Sequence, residues 1–188
     1  IAKRCVEAGA FVTIAHPQWS GLTLADARSI RSAHAVEVYN HGCAVSTDRP
    51  DGIHTLDLLL AEGRKLNLVA TDDAHFSDPD YFGGWVMVKS NRNSPDSILK
   101  SLKEGAFYSS QGPDLVDIEI ETSSVEVHST PVSTVIIQGQ GSAYVVQHGQ
   151  SLVSTQLSLK RLKKSPWLRV TIIDHNGKRA WSNPIWRP

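Results

Sequence analysis

Residues 66–75 read LNLVATDDAH. An apolar run stops abruptly in two carboxylates and a histidine. Two other segments end the same way. FVTIAHP at 11–17 passes from apolar residues into His16-Pro17, and AVEVYN at 35–40 runs into Asn40 and then His41. Short apolar runs bounded by polar residues read as buried strands. Helical patterns lie between and around them. IAKRCVEAGA at 1–10 reads as the tail of a helix closed by Gly9. LTLADARSIRSA places Ala25, Ile30 and Ala33 on one face, with Thr23 as its candidate cap. IHTLDLLLAEGRK ends its helix at Gly63. SPDSILKSLKEG has Ser94 as cap, Pro95 at the first helical position and Gly105 past the end. HGCAVSTDRPDG at 41–52 reads as a polar loop, and GWVMVKS as a further strand. This alternation up to about residue 112 predicts parallel βα units, in a barrel or an open sheet.

The pattern changes from Asp114. VDIEIET, SSVEVHST, STVIIQGQ, SAYVVQHG and WLRVTIIDHNGKRAW are β-rich segments separated by turn residues, and Asn176-Gly177 is a hairpin signal. Residues 152–165 fit strand or helix equally well. The expected organisation is an α/β domain over 1–112 and a small antiparallel β module, sandwich-like, over 113–188, joined at Gly112-Pro113.

Composition narrows the function. Of 188 residues, 40% are hydrophobic and 20% charged, the balance of an ordinary globular chain. Lys plus Arg and Asp plus Glu are both 19. Residues 1–112 hold 11 basic against 13 acidic residues, and 113–188 hold 8 against 6. No basic excess marks a nucleic-acid binder. No apolar run is long enough for a spanning helix, so no membrane partner is expected. Cys5 and Cys43 make neither a disulfide framework nor a zinc motif. Lys160, Arg161, Lys163 and Lys164 read as a solvated face, and Trp167, Trp181 and Trp186 as packing. The chain opens on Ile1 inside a helical pattern, so it reads as part of a longer polypeptide. No signal or transit segment is visible, and the cytoplasm is the expected compartment.

The chemistry collects at three strand ends: Ala15-His16-Pro17; Glu37, Asn40 and His41; and Asp72-Asp73-Ala74-His75. In parallel α/β sheets the loops after the strands converge on one mouth, where ligands bind. Histidine nitrogens and carboxylate oxygens there suit zinc, manganese or iron. In an extended Asp-x-His, Asp73 and His75 would point to the same side. Taken singly, each cluster has an ordinary reading: a hydrogen-bonded histidine, a loop cap, a solvated glutamate.

AHP at 15–17, EVYN at 37–40 and DDAH at 72–75, in this order, resemble the later motifs of the PHP (polymerase and histidinol phosphatase) family. The resemblance covers about residues 1–112. It implies the C-terminal part of a distorted (β/α)7 barrel, two or three divalent metal ions at its C-terminal face, and hydrolysis of phosphoesters by a metal-activated water. It implies that His16, Asp73 and His75 are metal ligands, with Asp73 also catalytic. Glu37 and Asn40 match a segment beside the site and are expected at the substrate. His41 is a candidate acid for the leaving group, and Arg49 a candidate phosphate contact. The family's opening His-x-His, its next histidine and its bridging glutamate have no counterpart here. The 188 residues alone are therefore expected to bind metal poorly and to be inactive without the preceding part of the barrel. The expected partner is a small phosphorylated substrate. Two other readings are a metal-dependent hydrolase of amidohydrolase type, for which Lys89 is the only strand-end lysine, and a non-catalytic, degenerate barrel serving as scaffold with a β binding module.

Overall fold

The computed structural model describes residues 1–187. It divides into two compact units, Ile1–Ser109 and Ser110–Pro188. The first is mixed α/β. Its elements run α1 (Ala2–Glu7), β1 (Thr13–Ile14), α2 (Leu24–Ser29), β2 (Ala35–Asn40), α3 (His41–Thr47), α4 (Ile53–Ala61), β3 (Asn67–Thr71), β4 (Trp85–Val88), α5 (Pro95–Glu104) and β5 (Phe107–Ser110). Strands β1, β2 and β3 form a parallel sheet in that order. β2 is central, and five of its six residues are buried, as a parallel strand covered on both faces requires. Val36 and Val38 of this strand are buried, as are Ile14, Leu56, Leu59, Leu60 and Leu68 of the elements around it. Ser109 ties β3 down from the side: its hydroxyl donates to the Leu68 carbonyl and accepts from the Ala70 N–H, both at 3.0 Å.

The helix ends follow local rules. Thr23 and Asp26 form a reciprocal capping box at α2. Ser94 caps α5, Pro95 opens it, and Gly105 closes it at φ 72°. The segment 41–52 departs from its reading as a loop. Asn40 accepts the Cys43 N–H at 2.8 Å and so nucleates α3, which Asp48 ends in a left-handed conformation at φ 55°. A strand residue that is also an N-cap leaves no separate start signal in the sequence. The parallel part comprises three strands among the described residues, a mixed α/β unit in which no (β/α)7 barrel is confirmed.

His34 gives this unit a pH dependence. Its ring stacks on Phe11 at 5.2 Å, and its Nδ1 accepts the Val12 N–H at 3.0 Å, which requires an unprotonated nitrogen. Burial first, then the Lys103 ammonium, hold its pKa below 6.5. A depressed base binds fewer protons folded than unfolded, so stability is complete above the unfolded value and falls as pH drops through it. The melting temperature is expected to be lower at about pH 5 than at about pH 8. His34→Gln, which keeps an acceptor but cannot titrate, should flatten that difference; an unaltered pH profile in the variant would contradict the assignment.

The second unit is antiparallel: β6 (Leu115–Ile120), β7 (Ser124–Gln138), β8 (Tyr144–Ser158), a 3-10 turn at Lys160–Leu162, β9 (Trp167–Ile173), β10 (Arg179–Ser182) and β11 (Ile185–Trp186). β7 is its spine. β8 pairs along its length, while β6 and β9 pair with its first and last parts. The β9–β10 hairpin turns at Asn176-Gly177, where Gly177 has φ 78°. SSVEVHST and STVIIQGQ, read as two strands, are one. The buried set shifts from Val125 and Val127 to Val132, then to Val135 and Ile137, across two register breaks, the first between His128 and Val132, spanning Pro131, and the second between Val132 and Thr134. Proline lacks the N–H of a regular ladder, and a bulge accommodates it. Residues 152–158 are strand, followed by the 3-10 turn with Leu159 and Leu162 buried. The strands of this unit join in one curled antiparallel sheet, in which a sandwich is not shown. Among the described residues, no helix is long and apolar enough to cross a membrane.

Candidate functional site

The parallel strands of the first unit end on one side. β1 leads into Ala15-His16-Pro17, β2 into His41 and β3 into Asp72-Asp73. The register of β2 on β3 shifts between Glu37 and Tyr39. In a regular strand, residues three apart face opposite sides. The bulge brings Glu37 and Asn40 to the same side, and their side chains meet at 3.1 Å.

A buried network follows. Glu37 is 5% exposed and Asn40 is 0% exposed. The Glu37 carboxylate accepts the His16 backbone N–H and the Thr71 hydroxyl. The Asn40 amide spends every group: its nitrogen donates to Glu37 Oε2 and to Asp73 Oδ2, each at 3.1 Å, while its oxygen caps α3. The network thus joins the ends of all three parallel strands. Gly52 packs under it, because a Cβ there would run into the Glu37 carbonyl oxygen.

Above it lies a cleft of about 320 Å³. His16 and Trp19 line one part, Cys43 and Ser46 of α3 another, then Asp73, and His75, Ser77, Asp78 and Asp80 of the following loop. His16, Asp73 and His75, expected together, do share this cleft. Their route there differs from the extended Asp-x-His of the sequence reading. Asp73 has φ 53° and breaks the strand, and His75 turns back so that its Nδ1 lies 2.7 Å from the Asp73 carbonyl oxygen. His16 also has positive φ, 29°, and its Nδ1 meets Ser20 Oγ at 2.7 Å. Left-handed conformations at non-glycine residues cost about 1–3 kcal/mol each and gather where function holds them.

The other expected site residues fall elsewhere. Glu37 and Asn40 are buried and outside the cleft lining, with their side-chain polar atoms hydrogen-bonded within the protein. His41 does not line the cleft: its Nδ1 bonds to the Tyr39 hydroxyl at 2.9 Å, and its ring packs so closely on Gly83 that a Cβ would overlap it. Arg49 is exposed and outside the lining. Lys89 lines a separate cleft with Lys100 and Glu104.

Several contributors carried no clear signal. Trp19 stands edge-on to the His16 ring at 4.9 Å. Asp80 is buried and accepts the N–H groups of His75, at 2.8 Å, and Phe76, at 3.2 Å; these bonds hold its carboxyl below its usual range. Asp72 anchors the other end of the same loop, accepting from Phe82, Gly83 and Gly84 at 2.7–2.9 Å. The run DPDYFGG at 78–84 is dense in turn formers, which was the available hint. The Cys43 thiol is pushed up by burial, then by the Asp73 and Glu37 charges, so it remains a thiol and not a nucleophile.

The donor types fit a divalent metal, because imidazole nitrogens and a carboxylate meet in one cleft. Their number is incomplete: among the described residues no group of three or more His, Cys, Asp or Glu side chains is arranged to hold an ion.

No protein-family model and no curated protein matches the chain. One solved structure is similar: a two-domain protein from Bacteroides vulgatus containing a predicted PHP-like metal-dependent phosphoesterase. The identity is 12% and the TM-score 0.44, with 97% of this chain and 64% of that one covered. The present chain thus spans less than two thirds of that structure, and a likeness at this level carries no argument about its chemistry.

Proposed function

We propose that the cleft is the metal and phosphoester site of a hydrolase. The carrying observation is that His16, Asp73 and His75, delivered by the ends of β1 and β3, line one cleft that contains carboxylates and no Lys or Arg. A phosphate entering such a cleft needs its charge met by a cation bound there. His16, Asp73 and His75 would hold that cation, with further ligands completing the set. When bound, a divalent ion lowers the pKa of water and screens the phosphate.

The chain's own residues do the rest. Asn40 fixes the Asp73 carboxylate through one N–H and is itself fixed by Glu37 and the Cys43 N–H. Glu37 holds the backbone of His16, so the two strand ends keep their spacing. Ser20 and the Asp73 carbonyl engage the Nδ1 atoms of His16 and His75, so Nε2 of each ring would be the atom that serves a cation. Trp19 walls one side. The substrate class is a small phosphoester.

A non-catalytic scaffold is the second reading, favoured by the lack of an assembled three-donor group. Calorimetric titration with zinc and manganese of a protein that joins these residues to the preceding part of the barrel, followed by a phosphoester panel, separates the two. Metal uptake with metal-dependent release of phosphate supports the hydrolase. Neither uptake nor release leaves the scaffold.

A further inference from the structure

The loop after His75 holds three aromatic rings out of the protein. Phe76 is 78% exposed, Tyr81 48% and Phe82 84%. They form one group: Phe76 stacks on Tyr81 at 6.0 Å and 26°, and Tyr81 meets Phe82 at 5.9 Å and 86°. Tyr81 and Phe82 thereby make a corner, one ring face set against another at nearly a right angle. A planar guest entering it gains a stacked and an edge contact together, the two arrangements aromatic pairs prefer.

This exposure is held in place. Phe76 and Phe82 both have positive φ, 61° and 56°, a conformation bulky residues rarely adopt. The N–H of each is gripped by a carboxylate, Asp80 for Phe76 and Asp72 for Phe82. Phe76 lies between His75 and Ser77, two residues that line the cleft. The group therefore stands at the cleft's rim. No lysine or arginine lines the cleft beside it, so the rings are suited to an uncharged planar group and not to an anion.

From these features we infer that Phe76, Tyr81 and Phe82 form a subsite for a planar aromatic ring carried by the alcohol part of the phosphoester. The inference rests on the phosphoesterase reading of the cleft and adds the substrate's class. A nucleobase and a simple aryl ring share this chemistry.

The test is a titration of the metal-free protein with adenosine, phenyl β-riboside and methyl β-riboside, followed by the amide resonances of residues 74–84 and the Trp19 indole. The two ring-bearing ribosides are expected to shift these signals and bind about tenfold or more tighter than methyl β-riboside. Adenosine binding alone identifies a nucleobase site; equal binding of phenyl β-riboside identifies a general aryl site. The double variant Phe76→Ala/Phe82→Ala should bring the three affinities together, and Phe82→Trp should retain the preference. Equal binding of all three ligands to the unaltered protein overturns the inference. So does an unchanged preference in the double variant, or a change of oligomeric state in it without ring binding, which would make the rings a contact between copies. Ring binding without metal uptake or phosphoester hydrolysis supports the subsite and removes the phosphoesterase reading. Hydrolysis without ring preference does the reverse.

Discussion

In the full chain loaded with a divalent metal, Asp73→Asn is expected to lower phosphoester hydrolysis by about 10²–10³-fold. Metal affinity should fall with it, while the melting temperature without metal barely changes. Asp73 is exposed, so no cavity opens. Asparagine has the same shape, tolerates φ 53°, and can still accept the N–H of Asn40 through its amide oxygen. The substitution removes a charge and little else. Full activity with unchanged metal stoichiometry would contradict the role given to Asp73.

Asn40→Asp should produce the largest loss of stability, about 3–5 kcal/mol near neutral pH. The residue is fully buried and donates to two carboxylates. An aspartate there loses both donors and places a third carboxylate between Glu37 and Asp73. Its cap to the Cys43 N–H survives, so the cost is electrostatic and not the loss of α3. The charge cost disappears when the new carboxyl takes up a proton, so the deficit should shrink in mild acid. Chemical denaturation at two pH values checks both parts. A stability change below about 1 kcal/mol would show that the network does not bind the strand ends together.

The sequence carried the scaffold of this site and not its geometry. β1, β2 and β3 are legible because buried parallel strands are continuous apolar runs, and Thr23, Ser94 and Gly105 announce their helix ends through local hydrogen bonding. That His16, Asp73 and His75 belong to one place follows from their common position after such strands. The bulge in β2 is different. Alternation alone sets Glu37 and Asn40 on opposite faces, and only the register against β3 brings them together. The turn at Asp73 is also set by tertiary contacts, since an Asp-x-His tract is equally compatible with an extended strand. His41 and Arg49 stand close to the chemistry in sequence, yet neither lines the cleft: α3 presents Gly42, Cys43 and Ser46 to it, while His41 turns to Tyr39 and Gly83, and Arg49 lies past the helix end and is exposed. In the second unit, the slip at Pro131 looks like a strand boundary because the ladder on β8 breaks where proline withholds its N–H.

Paramagnetic broadening by manganese tests the central claim most directly. At substoichiometric Mn²⁺, the ring resonances of His16 and His75 and the amide of Asp73 are expected to broaden first, with Gly42 and Cys43 next and His34 unaffected. Weak binding suffices, because an ion that exchanges rapidly visits many molecules and broadens most the nuclei nearest its site. Broadening centred on exposed histidines such as His148 or His175, or spread evenly over the acidic surface, would show that these strand ends do not make a cation site.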